Sequence, residues 1–392
     1  MADQIEILAD GVAKAACAAC GTVVDVSNQP PLSVMVCPKC QAKFMVPGKI
    51  GQFLLLKCLG KGGMGATYKA LDKILKRNVA IKIMHRGMGD DAVLTESFFS
   101  EARSLASLNH PNIVQIYTLG DEKGQPFIVM EFLAGGQMDR LFTREQPMDE
   151  IRALDIAIDV AEALKATSDI GMTHGDVKPA NILLNHEGTP KLVDFGIARF
   201  AEMKHAAGPM GTPYYLAPEQ ARHEPLDCRA DIYSLGASLF HALAGRPPFE
   251  GTNVDEVVAA RLTPPVPDLF DYRPDLCSDT LNIVEKMMQI APDDRYQTYY
   301  DLLVDLAVAH KAAGKRALET YMAAQQTQEA QGSAVPEEAP VTEENFPESA
   351  SPQTSPRPEK SHASAKPAPR HPASYQPPPP KGGLFGWMRK KP

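Results

Sequence analysis

The stretch Thr173-His174-Gly175-Asp176-Val177-Lys178-Pro179-Ala180-Asn181 sets a carboxylate, an ammonium and a carboxamide close together, and Asp194-Phe195-Gly196 follows 13 residues beyond Asn181. A proton acceptor, a cation and two hard oxygen ligands are what is needed to move a phosphoryl group from a nucleotide to a hydroxyl. That reaction is mostly positioning and charge neutralisation. In such chemistry Asp176 accepts or orients the hydroxyl proton, Lys178 neutralises the migrating phosphate, and Asn181 with Asp194 holds magnesium. Upstream, Gly60-Lys61-Gly62-Gly63-Met64-Gly65 strips side chains from a hairpin at Gly60, Gly62 and Gly65, so that backbone amides can approach phosphate oxygens.

A second chemistry lies at the N-terminus. Cys17-Ala18-Ala19-Cys20 and Cys37-Pro38-Lys39-Cys40 are two CxxC pairs with sixteen residues between them, the spacing of a four-thiolate zinc ribbon. The β-branched run Thr22-Val23-Val24-Asp25-Val26 supplies a strand between the pairs. A core this small needs the metal in order to fold, and iron suits four thiolates as well as zinc does. Through Ile50, Lys14, Lys39, Lys43 and Lys49 balance Asp3, Glu6, Asp10 and Asp25, which leaves no basic footprint for nucleic acid. Protein docking or plain stabilisation is the expected role. Cys58, Cys228 and Cys277 read as isolated, small apolar groups.

The elements that must position these groups follow from pattern. From Phe53 to Glu131, short apolar runs broken by glycine and charge surround one helical interval at about Val93 to Leu108, which implies a mostly antiparallel sheet with one packed helix. Alternation turns Lys82 of Val79-Ala80-Ile81-Lys82 opposite to Ile81. From Asp149 onward, Ile151, Leu154, Ile158, Ala161 and Leu164 recur three or four residues apart, so a helical lobe carries the loops of Asp176 and Asp194. The chain has 392 residues, 44% of them hydrophobic, enough for a substantial core, and its net charge of −8 argues against a whole-protein nucleic-acid binder. Seven cysteines are too few, and odd in number, for a disulfide scaffold. With no apolar run of ~18 residues and no basic-then-apolar leader, the expectation is a cytoplasmic protein without a transmembrane segment. Thirteen prolines fall between Gln331 and Pro380, the composition of a disordered tether. The tip Gly382–Lys391, with the single tryptophan, could dock on a protein or an anionic membrane.

Taken in order, these motifs resemble the protein kinase family, in particular the bacterial eukaryotic-like serine/threonine kinases. The resemblance runs from about Gly51 to about His310. It also includes Glu101 nine residues before His110-Pro111-Asn112, then Ala217-Pro218-Glu219, Asp231-Ile232-Tyr233-Ser234-Leu235-Gly236 and Arg295. It implies an α+β, two-lobed fold: a small, mostly antiparallel β lobe with one helix, then a larger helical lobe. The expected organisation is 1–47 zinc ribbon, 51–310 kinase domain, 311–330 helical extension, 331–380 disordered linker and 381–392 tip.

The resemblance further implies ATP and Mg2+ as cofactors and proteins with serine or threonine as substrates. It sets Lys82 on the α- and β-phosphates and Glu101, rather than Glu96, as its counter-charge. Met130-Glu131-Phe132-Leu133 would join the lobes, with backbone groups of Glu131 and Leu133 on the adenine edge and Met130 behind it. Ala80 and Leu183 would sandwich the base, and the glycine loop with Lys61, Gly63, Met64 and Thr67 would cover the nucleotide. Thr212 would bond Asp176 and Lys178, Glu219 would pair with Arg295, and His174 and Phe195 would pack between the lobes. Lys178 and Gly211-Thr212-Pro213 resemble serine/threonine rather than tyrosine kinases.

Two departures carry weight. Thr67 stands where the family usually has valine. Gly175 replaces the arginine that commonly receives an activation-loop phosphate, and no serine, threonine or tyrosine lies between Gly196 and Gly211. Control by phosphorylation of that loop is therefore not expected. The competing class is a pseudokinase scaffold, allowed by Gly175 and Thr67 and opposed by Lys82, Glu101, Asp176, Asn181 and Asp194.

Overall fold

The structure, a computed structural model, describes residues 7–62, 65–85, 91–195 and 213–332. The expectations for Gly63, Met64, Gly196, Thr212, the 197–211 segment, the linker beyond 332 and the C-terminal tip lie outside the described residues. The described residues fall within one compact unit.

At the N-terminus, β1 (Lys14–Ala16) pairs antiparallel with β2 (Val23–Asp25), and β3 (Val34–Val36) with β4 (Lys43–Met45). Each hairpin turns at a CxxC pair. The Gly21 N–H donates to the Cys17 carbonyl at 2.8 Å and the Gln41 N–H to the Cys37 carbonyl at 3.0 Å. The residue after each second cysteine takes a left-handed conformation, Gly21 at φ +69° and Gln41 at φ +60°. Two like turns thus bring four sulfurs to one point.

A six-stranded antiparallel sheet follows, made of β5 (Gly48–Ile50), β6 (Phe53–Gly62), β7 (Gly65–Asp72), β8 (Arg77–Met84), β9 (Ile116–Glu122) and β10 (Gln125–Glu131) in the order β5-β6-β7-β8-β10-β9. Alternation along β8 sends Val79, Ile81 and Ile83 to one face and Ala80, Lys82 and Met84 to the other. On the outer face Ile81, Ile83, Phe53, Leu55, Tyr68, Phe127 and Val129 form a core, against which the cysteine module packs Ile7, Ala9, Leu32 and Met45. On the inner face lies α1 (Ala92–Ala106), whose Leu94, Phe98, Ala102 and Leu105 are buried. Asp91 caps it by accepting the Val93 and Leu94 N–H groups at 2.9 and 3.1 Å.

The helical lobe is built from α2 (Glu150–Ser168), α3 (Cys228–Ala244), α4 (Val254–Arg261), α5 (Ser278–Met287) and α6 (Tyr299–Gly332). Helix α3 is apolar nearly all round and forms the centre of the lobe, as its burial requires. Helix α6 packs Leu302, Leu306, Ala309 and Ala313 into the same core and continues unbroken past residue 310, so the expected extension is the outer half of one helix. Arg316, on that outer half, donates to the buried Glu150 carboxylate at the start of α2. Between the lobes, β11 (Gly136–Gln137), β12 (Ile182–Leu184) and β13 (Pro190–Leu192) make a small antiparallel sheet. Asn181 enters β12, and Asp194 lies two residues beyond β13.

Candidate active site

Helix α3 anchors the loop that carries Asp176. The buried Asp231 carboxylate accepts the backbone N–H of His174 and that of Gly175, both at 2.7 Å. His174 is 0% exposed. Its Nδ1 accepts the Asp176 N–H at 3.1 Å, so Nε2 carries the proton and donates to the Val193 carbonyl at 3.0 Å. Burial pushes the His174 pKa down to about 4. The ring stays neutral and packs at a tilt of 49° against that of Phe195, centroids 4.4 Å apart. One histidine thus ties the Asp176 loop to the strand end that leads into Asp194. Gly175 sits at φ +74°, a conformation that costs a residue with a Cβ about 1–2 kcal/mol.

Within this loop Lys178 Nζ donates to both Asp176 oxygens, at 2.9 and 2.7 Å. Asn181 Nδ2 donates to the Asp176 carbonyl at 2.9 Å and to its Oδ2 at 2.8 Å. The carboxylate is therefore fixed in direction by two neighbours from its own loop. Across the cleft, Lys82 Nζ donates to Asp194 Oδ1 at 2.7 Å. Asp194 has φ +57°, an uncommon conformation for a residue other than glycine. Burial pushes the Asp194 carboxyl up, but the attraction and hydrogen bond of Lys82, with a smaller pull from Lys178, hold it below the usual carboxylate range. It is ionised at neutral pH.

The roof is the β6–β7 hairpin, in which Gly60 pairs with Thr67, Lys61 with Ala66 and Gly62 with Gly65. Thr67 in turn lies beside Lys82 on β8. Three of the four loop glycines, Gly60, Gly62 and Gly65, are described, and their surroundings differ. A Cβ on Gly60 or Gly62 would meet nothing within 4 Å, whereas one on Gly65 would lie 2.0 Å from the Ile83 carbonyl oxygen. Gly65 is thus held to glycine by its close approach to β8, while the space beside Gly60 and Gly62 is open. At the back of the cleft Ala80, Met130 and Leu133 are buried, with Leu183 packed on the same core. The Glu131 N–H is committed to the Gln115 carbonyl at 2.9 Å.

A family model described as "Protein kinase domain" matches residues 53–306 of the chain. This chain belongs to the protein kinase family. The chain is similar to the serine/threonine-protein kinase PrkC of Bacillus subtilis, 36% identical over 265 residues, which cover 67% of this chain and 41% of that protein. It is also similar to the serine/threonine-protein kinase PknB of Mycobacterium tuberculosis, at 34% over 286 residues, 70% of this chain and 46% of the relative. The chain thus spans less than half the length of these relatives. Among solved structures, a crystal structure of the M. tuberculosis PknI kinase domain (C20A mutant) superimposes with a TM-score of 0.53 at 27% identity, covering 66% of this chain and 96% of that one. Belonging to this family brings ATP and Mg2+ as its cofactors, and the ionised Asp194, Asn181 and Lys82 lining one cleft suit a nucleotide with its cation.

One expected pair does not form. The carboxylate partner of Lys82 is Asp194, not Glu101. Asp194 projects toward the ammonium from its left-handed residue. Glu101 does lie on the half-buried side of α1, seven residues after the buried Leu94 and four before the buried Leu105. Its rival Glu96 points outward, 69% exposed, and pairs with Arg103. Glu219 and Arg295 pair as expected, bidentate at 2.7 and 2.8 Å with side chains 6% and 0% exposed. The remaining guanidinium donors reach the carbonyls of Gln289, Arg229 and Ile290 at 2.7, 2.9 and 3.0 Å.

Sequence reasoning missed Arg261, fully buried at the end of α4. Its guanidinium donates to the Pro213 and Leu216 carbonyls and so holds the segment that follows Thr212. An arginine in an otherwise ordinary helical pattern carries no local sign of this.

The four N-terminal cysteines converge: Cys17 and Cys40 sulfurs are 3.6 Å apart, Cys20 and Cys37 sulfurs 3.7 Å, and all four lie within 4.8 Å of one another. Four sulfurs each ~2.3 Å from one tetrahedral zinc ion would stand about 3.8 Å apart. The donor set therefore fits a metal, and all four are free thiols rather than disulfides.

Proposed function

We propose that this chain transfers the γ-phosphoryl group of ATP to serine and threonine hydroxyls of protein substrates. The observation that carries the reading is the Asp176 carboxylate, aimed by Lys178 and Asn181 in a loop that His174 fastens to the Asp194 segment. Asp176 accepts the hydroxyl proton as the oxygen attacks phosphorus in line, and the bond to the leaving ADP oxygen breaks. Lys178 offsets charge on the migrating group, and Lys82 exchanges Asp194 for the α- and β-phosphates, with Glu101 behind it. Asn181 and Asp194 hold magnesium, which when bound neutralises the phosphates. Ala80, Met130, Leu133 and Leu183 enclose the adenine, which meets the backbone of Glu131 and Leu133, under the roof of Gly60 to Thr67. Thr212 would complete the acceptor side.

Cys17, Cys20, Cys37 and Cys40 hold one structural zinc ion. Regulation by phosphorylation between Gly196 and Gly211 is absent from this reading, since that stretch offers no acceptor. No helix among the described residues is long and apolar enough to cross a membrane, and we place the chain in the cytoplasm.

The test is transfer of radiolabel from ATP to a generic basic protein. Wild type should incorporate it, and Asp176→Ala and Asp194→Asn should lose at least 100-fold, the scale of a positioned base. Equal incorporation by wild type and both variants would leave the scaffold reading instead.

A further inference from the structure

The outer face of the sheet that carries Lys82 is not open to water. Ile81 and Ile83, on either side of Lys82 along β8, are 0% exposed. The side chains that pack against their core from outside the sheet, Ile7, Ala9, Leu32 and Met45, belong to the cysteine module and the segment leading into it. Three polar ties fix the module in place. Asp10 and Lys49 exchange both backbone hydrogen bonds at 2.9 Å, which extends the sheet edge beyond β5. Asp10 pairs with Lys123 at 2.6 Å in the β9–β10 turn. The buried Gln125 accepts the Leu8 N–H at 2.9 Å and donates to the Met84 carbonyl at 2.8 Å, two residues from Lys82. The module has little core of its own. Ala15, Cys17, Val26, Cys37, Phe44 and Val46 are its buried apolar residues, and two of the six are sulfur ligands. Sulfur ligation and the cover over β8 are therefore parts of one small folded body, in which Met45 lies five residues after Cys40.

We propose that metal occupancy of Cys17, Cys20, Cys37 and Cys40 sets the nucleotide affinity of the kinase lobe, because the metal keeps folded the wall against which the Lys82 strand is held. The inference rests on the four-thiolate zinc reading and adds to it a target, Lys82, 42 residues beyond Cys40 in sequence. Without the metal, the two hairpins lose their common anchor and the small core no longer offsets chain entropy. Leu32 and Met45 then leave the sheet, and Ile81, Ile83 and Phe127 face water. Strand β8 loosens, and with it the ammonium that must meet the phosphates.

The test uses the full chain. Zinc content is measured first, then binding of a fluorescent ATP analogue and hydrogen exchange of residues 79–84, before and after metal removal with a zinc-selective chelator, at constant Mg2+. One zinc per chain is expected, with at least fivefold weaker nucleotide binding and at least tenfold faster exchange after stripping, both restored by added Zn2+. Met45→Asp separates cover from metal: it keeps the four ligands, should retain one zinc, and should show the same two changes. A chain that binds one zinc yet keeps its nucleotide affinity and its β8 protection both after stripping and in Met45→Asp overturns the inference and leaves the zinc reading standing. A chain that binds no zinc overturns both.

Discussion

Replacing Glu219 by alanine removes the only carboxylate facing Arg295 among the described residues and leaves a guanidinium buried at 0% exposure. Breaking a buried pair on one side costs about 3–5 kcal/mol. Three carbonyls still accept from Arg295, and the Tyr233 ring lies 4.9 Å from its guanidinium carbon, so the lower end applies, about 3 kcal/mol. For a domain of 150–250 residues each kcal/mol moves Tm by about 2–4 °C, which gives a fall of roughly 6–12 °C, read by calorimetry. Because the pair is buried, raising salt from 0.1 to 0.5 M should leave that fall nearly unchanged. The double variant Glu219→Leu with Arg295→Met takes both charges away and should recover most of the loss. A fall of less than 2 °C for Glu219→Ala, or a double variant less stable than the sum of the singles, would refute the reasoning that this is a desolvated, one-sided charge problem.

His174 gives a pH signature: its folded pKa, about 4, is below its unfolded value near 6.5, so the unfolded chain takes the proton first and stability is lost as pH falls from 6.5 towards 4. The loss approaches about 3 kcal/mol at the bottom of that window, and His174→Phe should flatten this part of a Tm-against-pH curve. Gly65→Ala should abolish binding of a fluorescent ATP analogue, because its Cβ would meet the Ile83 carbonyl at 2.0 Å, while Gly60→Ala, with nothing within 4 Å, should leave Tm unchanged. Gly175→Ala, at φ +74°, should cost about 1 kcal/mol in urea unfolding, and an unchanged midpoint would contradict the left-handed geometry.

The site was legible in the sequence wherever function forces residue type and spacing together. Asp176, Lys178 and Asn181 lie so near in the chain that their contacts hardly depend on the rest of the fold, and paired CxxC turns behave likewise. Glu219 and Arg295 were legible through family order alone, since 76 residues separate them. The contact of Lys82 with Asp194 was not, because 112 residues separate the two and their meeting depends on the left-handed backbone at Asp194. Nor was the separate duty of Gly65, which depends on a neighbouring strand. The docking of the cysteine module does leave a trace in the sequence: Val79 to Met84 is apolar at every position but Lys82, the mark of a strand covered on both faces.

The clasp between Arg316 and Glu150 bears on where this protein can be cut. A fragment ending at residue 306, the limit of the family match, would stop in mid-helix and discard Ala309, Ala313 and Arg316. Glu150, which also accepts the Cys277 N–H at 2.9 Å and the Thr280 hydroxyl at 2.6 Å, would then stand as a buried anion stripped of its cation, at the base of the lobe that supports Asp176. Such a truncation should be less stable for reasons unrelated to catalysis, so a sound boundary lies beyond the turn that Arg316 occupies.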